Sequence, residues 1–318
     1  MWSFRLKLVP QHTKVDFMRW RAVGFGITIA LLAVSYVALG TLGLNLGIDL
    51  KGGVMIEARM AQAADLGAMR GAINELGLGE VNLQALDGGR EVLIRLPQQA
   101  GGEEAQRELQ ARVRTALEAA VGQVEYRRVE FVGPQVSREL IVGGAVAFAL
   151  SMAAMLAYIW VRFEWQFGVG TIFALSFDAI TTLGLFSLLQ LEFNLPIIAA
   201  ILTTVGYSMN DKVVIFDRVR ENLAKYRSMP LVQLLNHSIN DTLARTVNTS
   251  FTTLLAVLAL LFFGGDVLRE FNMAMTWGVF VGTASSVFIA APALLYLNIP
   301  RASVKAATAT TTTQAARS

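Results

Sequence analysis

The chain has 318 residues, 54% of them hydrophobic and only 16% charged, with a net charge of +3. That balance excludes an ordinary soluble domain, which has no use for repeated apolar runs near the length of a membrane span. The absence of cysteine excludes disulfides and thiolate metal sites, and both histidines, His12 and His237, fall in hydrophilic stretches where neither can act as a ligand or relay in mid-membrane.

Residues 1–21 carry Arg5, Lys7, Lys14, Arg19 and Arg21 against one acid, Asp16, and read as a cytoplasmic N-terminal segment. Residues 22–45 form the first transmembrane helix. This run is too long for a signal-peptide core and no small-residue cleavage pattern follows it, so it reads as a retained span.

Residues 46–139 differ in kind, being charged and mixed in pattern. Val54–Ala58 reads as a strand, and Ala61–Leu76 has helical spacing with Leu66, Met69, Ile73 and Leu76 on one face. Glu91–Leu96 alternates as a strand, Glu103–Ala120 is strongly helical, and Gln123–Val132 returns to strand. The order β-α-β-α-β predicts a small α+β domain of ferredoxin-like type.

Residues 140–297 hold the second to sixth spans: Ile141–Val161, Phe167–Gln190, Leu195 to about Ile215, about Thr246–Phe263 and about Met273–Leu297. A cytoplasmic loop is expected at about 218–245, and the Ala/Thr-rich residues 298–318 read as a disordered cytoplasmic tail. The predicted fold class is a polytopic α-helical membrane protein with six transmembrane helices and a small α+β extracytoplasmic domain. Lysine and arginine cluster before the first span, between the fourth and fifth, and after the sixth. The positive-inside rule places those segments in the cytoplasm, and Trp20, Trp160 and Trp165 fall at the same interface.

The chemistry concentrates in Gly206–Asn222, where Asp211 and Lys212 sit in the last third of the fourth apolar run. Charge at that depth costs about 2.5–3.5 kcal/mol per residue and normally faces a protein interior or a water-filled path. The plainer reading is that Asp211 marks the end of the span and Lys212 snorkels to the headgroups. Against it, Thr204, Ser208 and Asp211 recur at i, i+4 and i+7, one polar stripe on an apolar helix, with Asn210 alongside. Arg245 opens the fifth span and shares a face with Asn248 or Thr249 and with Thr252. Asp178 lies mid-way along the third span, with Thr181 and Thr182 one turn on and no basic neighbour in sequence. Such groups suit a proton or ion path, in which an aspartate's hold on a proton changes as it meets or leaves Arg245. A fixed buried ion pair with hydroxyl bonds between helices is the structural alternative.

Two further patterns carry less. Lys51-Gly52-Gly53 precedes a strand rather than a helix, so a tight turn or bulge fits better than a phosphate loop. Gly278-x-x-x-Gly282, followed by Ser285 and Ser286, fits close helix packing. No nucleophile–base pair, metal cluster or nucleotide fingerprint is visible, which argues against an enzyme and against a bound metal or cofactor.

Long motifs resemble those of the SecF family of bacterial protein-export subunits. They are Leu46–Gly53, with Asp49, Gly52 and Gly53; Val129–Val136, with Gly133 and Pro134; Gly206–Asn222, with Gly206, Asp217 and Arg218; and Asp241–Ser250. The resemblance implies a six-span inner-membrane subunit of the resistance–nodulation–division superfamily, with both termini cytoplasmic. Its implied partners are SecD, the SecYEG channel, SecA, YajC and YidC, unfolded preprotein and membrane lipid, without nucleic acid. Its implied energy source is the proton-motive force. Asp211 and Arg245 match positions the family assigns to proton movement, and Asp178 matches its third-span aspartate. The alternatives are a structural translocon subunit that moves no protons, and a homodimeric efflux transporter. The latter is disfavoured because such pumps use about twice as many spans from duplicated halves, and no internal repeat is found here.

Overall fold

The computed structural model describes residues 10, 13–60, 62, 64–78, 81–86, 90–97, 102–297 and 299. Arg5, Lys7, His12 and the Ala/Thr tail lie outside them. The elements begin with α1 (Arg21–Thr41), β1 (Asn45–Leu46), α2 (Ile48–Lys51), β2 (Gly53–Met60), α3 (Leu66–Asn74) and β3 (Asn82–Leu86). They continue with β4 (Glu91–Leu96), α4 (Gly102–Val121), β5 (Val124–Val132), α5 (Pro134–Arg162), α6 (Trp165–Leu189) and β6 (Glu192–Phe193). The chain then forms α7 (Leu195–Lys225), α8 (Leu231–Phe263), α9 (Asp266–Ser285), a π-helical turn (Ser286–Ala290) and α10 (Ala291–Tyr296). Two compact units result: Asn45–Phe148 with Glu192–Ile198, and the rest.

In the first unit, β2 to β5 make an antiparallel sheet in the order β3-β4-β2-β5. Alternation decides the packing: Val54, Ile56, Ala58 and Met60 on β2 and Val92, Ile94 and Leu96 on β4 are buried with Met69 and Ile73 of α3 and Leu109, Val113 and Leu117 of α4. Asp65 caps α3, its carboxylate accepting from the amides of Gly67 and Ala68 at 2.9 and 3.1 Å. The element order is β-α-β-β-α-β, one strand more than expected. The added strand, β3, is short and holds Asn and Ala, poor strand formers alone; it exists by pairing with β4 from Asn82 opposite Arg95 to Leu86 opposite Glu91. Gly52 and Gly53 have φ of +75° and +130°, so Lys51-Gly52-Gly53 is the turn from α2 into β2 that only glycine allows without strain. This unit also claims the α6–α7 link: β6 pairs in parallel with β1, and Arg95 on β4 forms an ion pair with Glu192.

Among the described residues, five helical stretches are long and apolar enough to cross a membrane: Arg21–Thr41, Gln135–Arg162, Trp165–Leu189, Leu231–Phe263 and Leu268–Tyr296. α7 is not among them, so the six expected spans are not all recovered on length and apolarity. The reason is the polar Asn210-Asp211-Lys212 within its apolar stretch. α6 and the Leu268–Tyr296 stretch are mostly buried, whereas α5 and α8 are not. Residues 218–245, expected as a loop, are largely helix: only Tyr226–Pro230 separates α7 from α8. Hydropathy marks only the apolar stretch of each helix, and both run past it. Their polar ends are held together by Arg218 to Asp241 at 2.8 Å and Asn222 to Ser238 at 2.9 Å. Asn240 of α8 accepts from the Thr13 hydroxyl and the Val15 amide, at 2.7 and 2.9 Å, and fixes the segment leading into α1.

Candidate functional site

α7 is placed by small residues opposite it. A Cβ on Gly278 would lie 2.5 Å from the Thr204 side chain, and one on Gly282 would lie 2.8 Å from that of Ser208. The Gly278-x-x-x-Gly282 face of α9 therefore seats Thr204 and Ser208, and the two backbones approach as close packing in an apolar medium requires. Following that contact one turn further along each helix reaches Lys212 on one side and Ser285 and Ser286 on the other.

Lys212 does not snorkel. Its side chain is fully buried, and Nζ donates to Asp178 Oδ2 at 3.0 Å, Ser285 Oγ at 3.0 Å, Ser286 Oγ at 3.5 Å and Ser208 Oγ. Ser208 Oγ donates to Asp178 Oδ2 at 2.6 Å. Asp178 is buried as well. The pair thus ties α6 to α7, and the serines bring in the end of α9 and the start of the π-helical turn. Such turns break the regular backbone ladder and recur at functional sites. Thr181 and Thr182 do not reach the Asp178 carboxylate; their hydroxyls donate to backbone carbonyls one turn back.

Asp211 is buried, and its Oδ2 has no hydrogen-bond partner. Lys212 and Arg245 are the cations whose charge acts on it. Arg245 forms no ion pair with Asp211 among the described residues and is exposed, as are Asn248 and Thr252. The polar stripe foreseen on α8 therefore faces outward; its inward positions are Thr246 and Ser250. There Tyr207 donates to Ser250 at 3.2 Å, and Ser250 shares a 2.7 Å hydrogen bond with Thr283 of α9. Asn210 is exposed and Thr249 half-buried.

The other motif residues lie elsewhere. Asp217 pairs with Arg162 at 2.7 Å, and Arg218 pairs with Asp241 and, at 2.7 Å, with Glu221. Asp49 sits in α2, Gly133 precedes α5 and accepts from the Ser137 amide, and Pro134 opens that helix. Gly206 has open space around it.

Sequence reasoning missed Lys212 as the partner of Asp178, and missed Ser285 and Ser286 as members of the site. A signal was present: Thr204, Ser208 and Lys212 recur at i, i+4 and i+8, one continuous ridge of the helix surface.

Apolar helices enclosing a bonded charge cluster, joined to a small antiparallel α+β unit, define a multi-span membrane protein with ionisable groups inside its helical core. Its relatives say which. The family described as protein export membrane protein SecD/SecF, C-terminal, matches residues 112–299, and the SecD/SecF GG motif matches residues 37–64. Protein translocase subunit SecF of Rickettsia akari is 46% identical over 295 residues, covering 92% of this chain and 95% of that one. The subunit of the same name from Cereibacter sphaeroides is 44% identical over 309 residues, 95% of each chain. A crystal structure of SecDF, a translocon-associated membrane protein from Thermus thermophilus, superposes with a TM-score of 0.81 at 36% identity. That match covers 93% of this chain but 39% of the longer one. A second structure of SecDF, in a super-membrane-facing form, gives 0.62 at 34% identity and covers 96% of this chain and 40% of that one. The chain belongs to the SecF family of protein translocase subunits, a transport component of the membrane.

Proposed function

We propose that this chain is the SecF part of a SecD–SecF unit that couples the proton-motive force to preprotein translocation across the bacterial inner membrane. The solved SecDF chains are more than twice as long as the part this chain matches, which supports a SecD partner for the remainder. α7 serves as the fourth of six spans, its charges shielded by α6 and α9. The strand order of the small unit supports a ferredoxin-like assignment, and the basic end of α7, with Arg218, Arg220 and Lys225, supports cytoplasmic termini.

The observation that carries the reading is Asp211: a buried carboxylate with an unpartnered oxygen, beside an ammonium that Asp178 already engages. A carboxylate so placed can gain or lose a proton without breaking the Lys212–Asp178 tie. Arg245, Asn248 and Thr252, exposed on an apolar helix, form a polar face that a SecD helix would cover. Arg245 then meets Asp211 in only part of the cycle, and that exchange moves the extracytoplasmic unit, which handles unfolded chain alongside SecYEG, SecA, YajC and YidC. The proton-motive force supplies the energy, without a cofactor. One charge crossing 100 mV releases about 2.3 kcal/mol, enough to bias a two-state equilibrium.

A second reading draws on the Lys212–Asp178 pair itself: a closed tie in a subunit that braces the translocon and moves no protons. Potential-driven preprotein release from vesicles separates the two. Coupling requires that Asp211→Asn or Arg245→Met abolish release while insertion and assembly with SecD persist. Undiminished release in both variants would leave the bracing role.

A further inference from the structure

Three hydroxyls around Lys212 have given their protons away. Ser208 donates to Asp178 Oδ2, and Ser285 and Ser286 both donate to the Gly282 carbonyl, at 3.0 and 2.8 Å. Each therefore turns lone pairs, not a proton, toward the ammonium. An ammonium has three N–H donors, and Asp178 Oδ2, Ser208 Oγ and Ser285 Oγ take them, with Ser286 Oγ a longer fourth contact. The second oxygen, Asp178 Oδ1, is buried and has no hydrogen-bond partner. A pocket of one carboxylate and three lone-pair-directed hydroxyls has the chemistry of a site for a small monovalent cation. It contains no element specific to a lysine side chain.

We propose that Asp178, Ser208, Ser285 and Ser286 form a monovalent-cation site whose occupant in this chain is the tethered ammonium of Lys212. The cation is needed because Asp178 lies buried between α6 and α7 and holds a charge that the apolar surroundings cannot solvate. Supplying it from the chain makes occupancy independent of the surrounding salt. Removal of the lysine side chain back to Cβ leaves the four oxygens in place and opens the site to an ion from solution. The inference concerns binding and does not rest on the coupling reading, since it holds equally for a bracing subunit.

The test uses the full chain, purified in detergent, as Lys212→Ala, with methylammonium chloride as the probe and choline chloride, too large for the pocket, at matched ionic strength. Thermal unfolding is recorded across a concentration series of each salt. For Lys212→Ala the melting temperature should rise linearly with the logarithm of methylammonium concentration once the site begins to fill, and should not move with choline. The unsubstituted chain should respond to neither salt, and Lys212→Ala combined with Asp178→Asn should lose the methylammonium response. A Lys212→Ala chain whose yield and melting temperature are the same in methylammonium and choline overturns the proposal, whether that shared value is high or zero. Lys212→Met of unsubstituted stability in choline overturns it too, since Asp178 would then need no cation.

Discussion

Replacing Asp178 with Asn removes the charge and nearly preserves the shape. In the intact chain the carboxylate receives the Lys212 ammonium at 3.0 Å and the Ser208 hydroxyl at 2.6 Å. The amide offers one weaker, uncharged acceptor and leaves the fully buried ammonium without its charged partner. Breaking a buried pair by removing one partner costs about 3–5 kcal/mol. A Coulomb estimate at 3 Å with an effective dielectric of 20 gives about 5.5 kcal/mol, the same order. The expected loss is thus roughly two to four decades in the folding equilibrium, read by denaturant unfolding in detergent. Asp178→Asn combined with Lys212→Met removes both charges and should recover most of that loss, giving a coupling of about 2–3 kcal/mol in the double-mutant cycle. A single variant within about 1 kcal/mol of the unsubstituted chain would refute the reasoning, as would additive single and double variants, because the pair would then not be the buried, mutually dependent contact described here.

Gly282→Ala places a methyl 2.8 Å from Ser208 and should loosen α9 from α7, costing about 1–3 kcal/mol, whereas Gly206→Ala, with open space around it, should be neutral or slightly stabilising in the same unfolding assay. Arg95→Met removes the ion pair to Glu192, and should cost about 1–2 kcal/mol and speed amide exchange at Leu191–Asn194. Tyr126 titrates above the ordinary tyrosine value because burial and the Glu118 charge disfavour the phenolate. Its contribution to stability is fully present below the unfolded tyrosine value and is lost as pH rises through the folded one. Tyr126→Phe should flatten that alkaline loss, and the difference absorbance between the two chains should show a phenolate appearing later than in free tyrosine.

Sequence alone determined everything that follows from local periodicity and composition. Apolar runs of spanning length force helices because the bilayer satisfies no backbone group. Alternation on β2 and β4 and the helical spacing of Leu66, Met69 and Ile73 settle the α+β unit apart from β3, whose pairing with β4 is the only reason it is a strand. Asp178 was legible as buried charge because it stands alone in an apolar run, and Asp211 because it falls, with Lys212, inside another. What the tertiary structure decided is which groups meet. Local reading set Asp211 against Arg245, but sequence says nothing about which way a helix faces its neighbours, and packing turns Arg245, Asn248 and Thr252 outward. Asp178 and Lys212 are 34 residues apart, and Ser285 is 73 beyond Lys212. They converge because Gly278 and Gly282, lacking side chains, let α9 approach α7 until only hydroxyls and a carboxylate remain to solvate the ammonium.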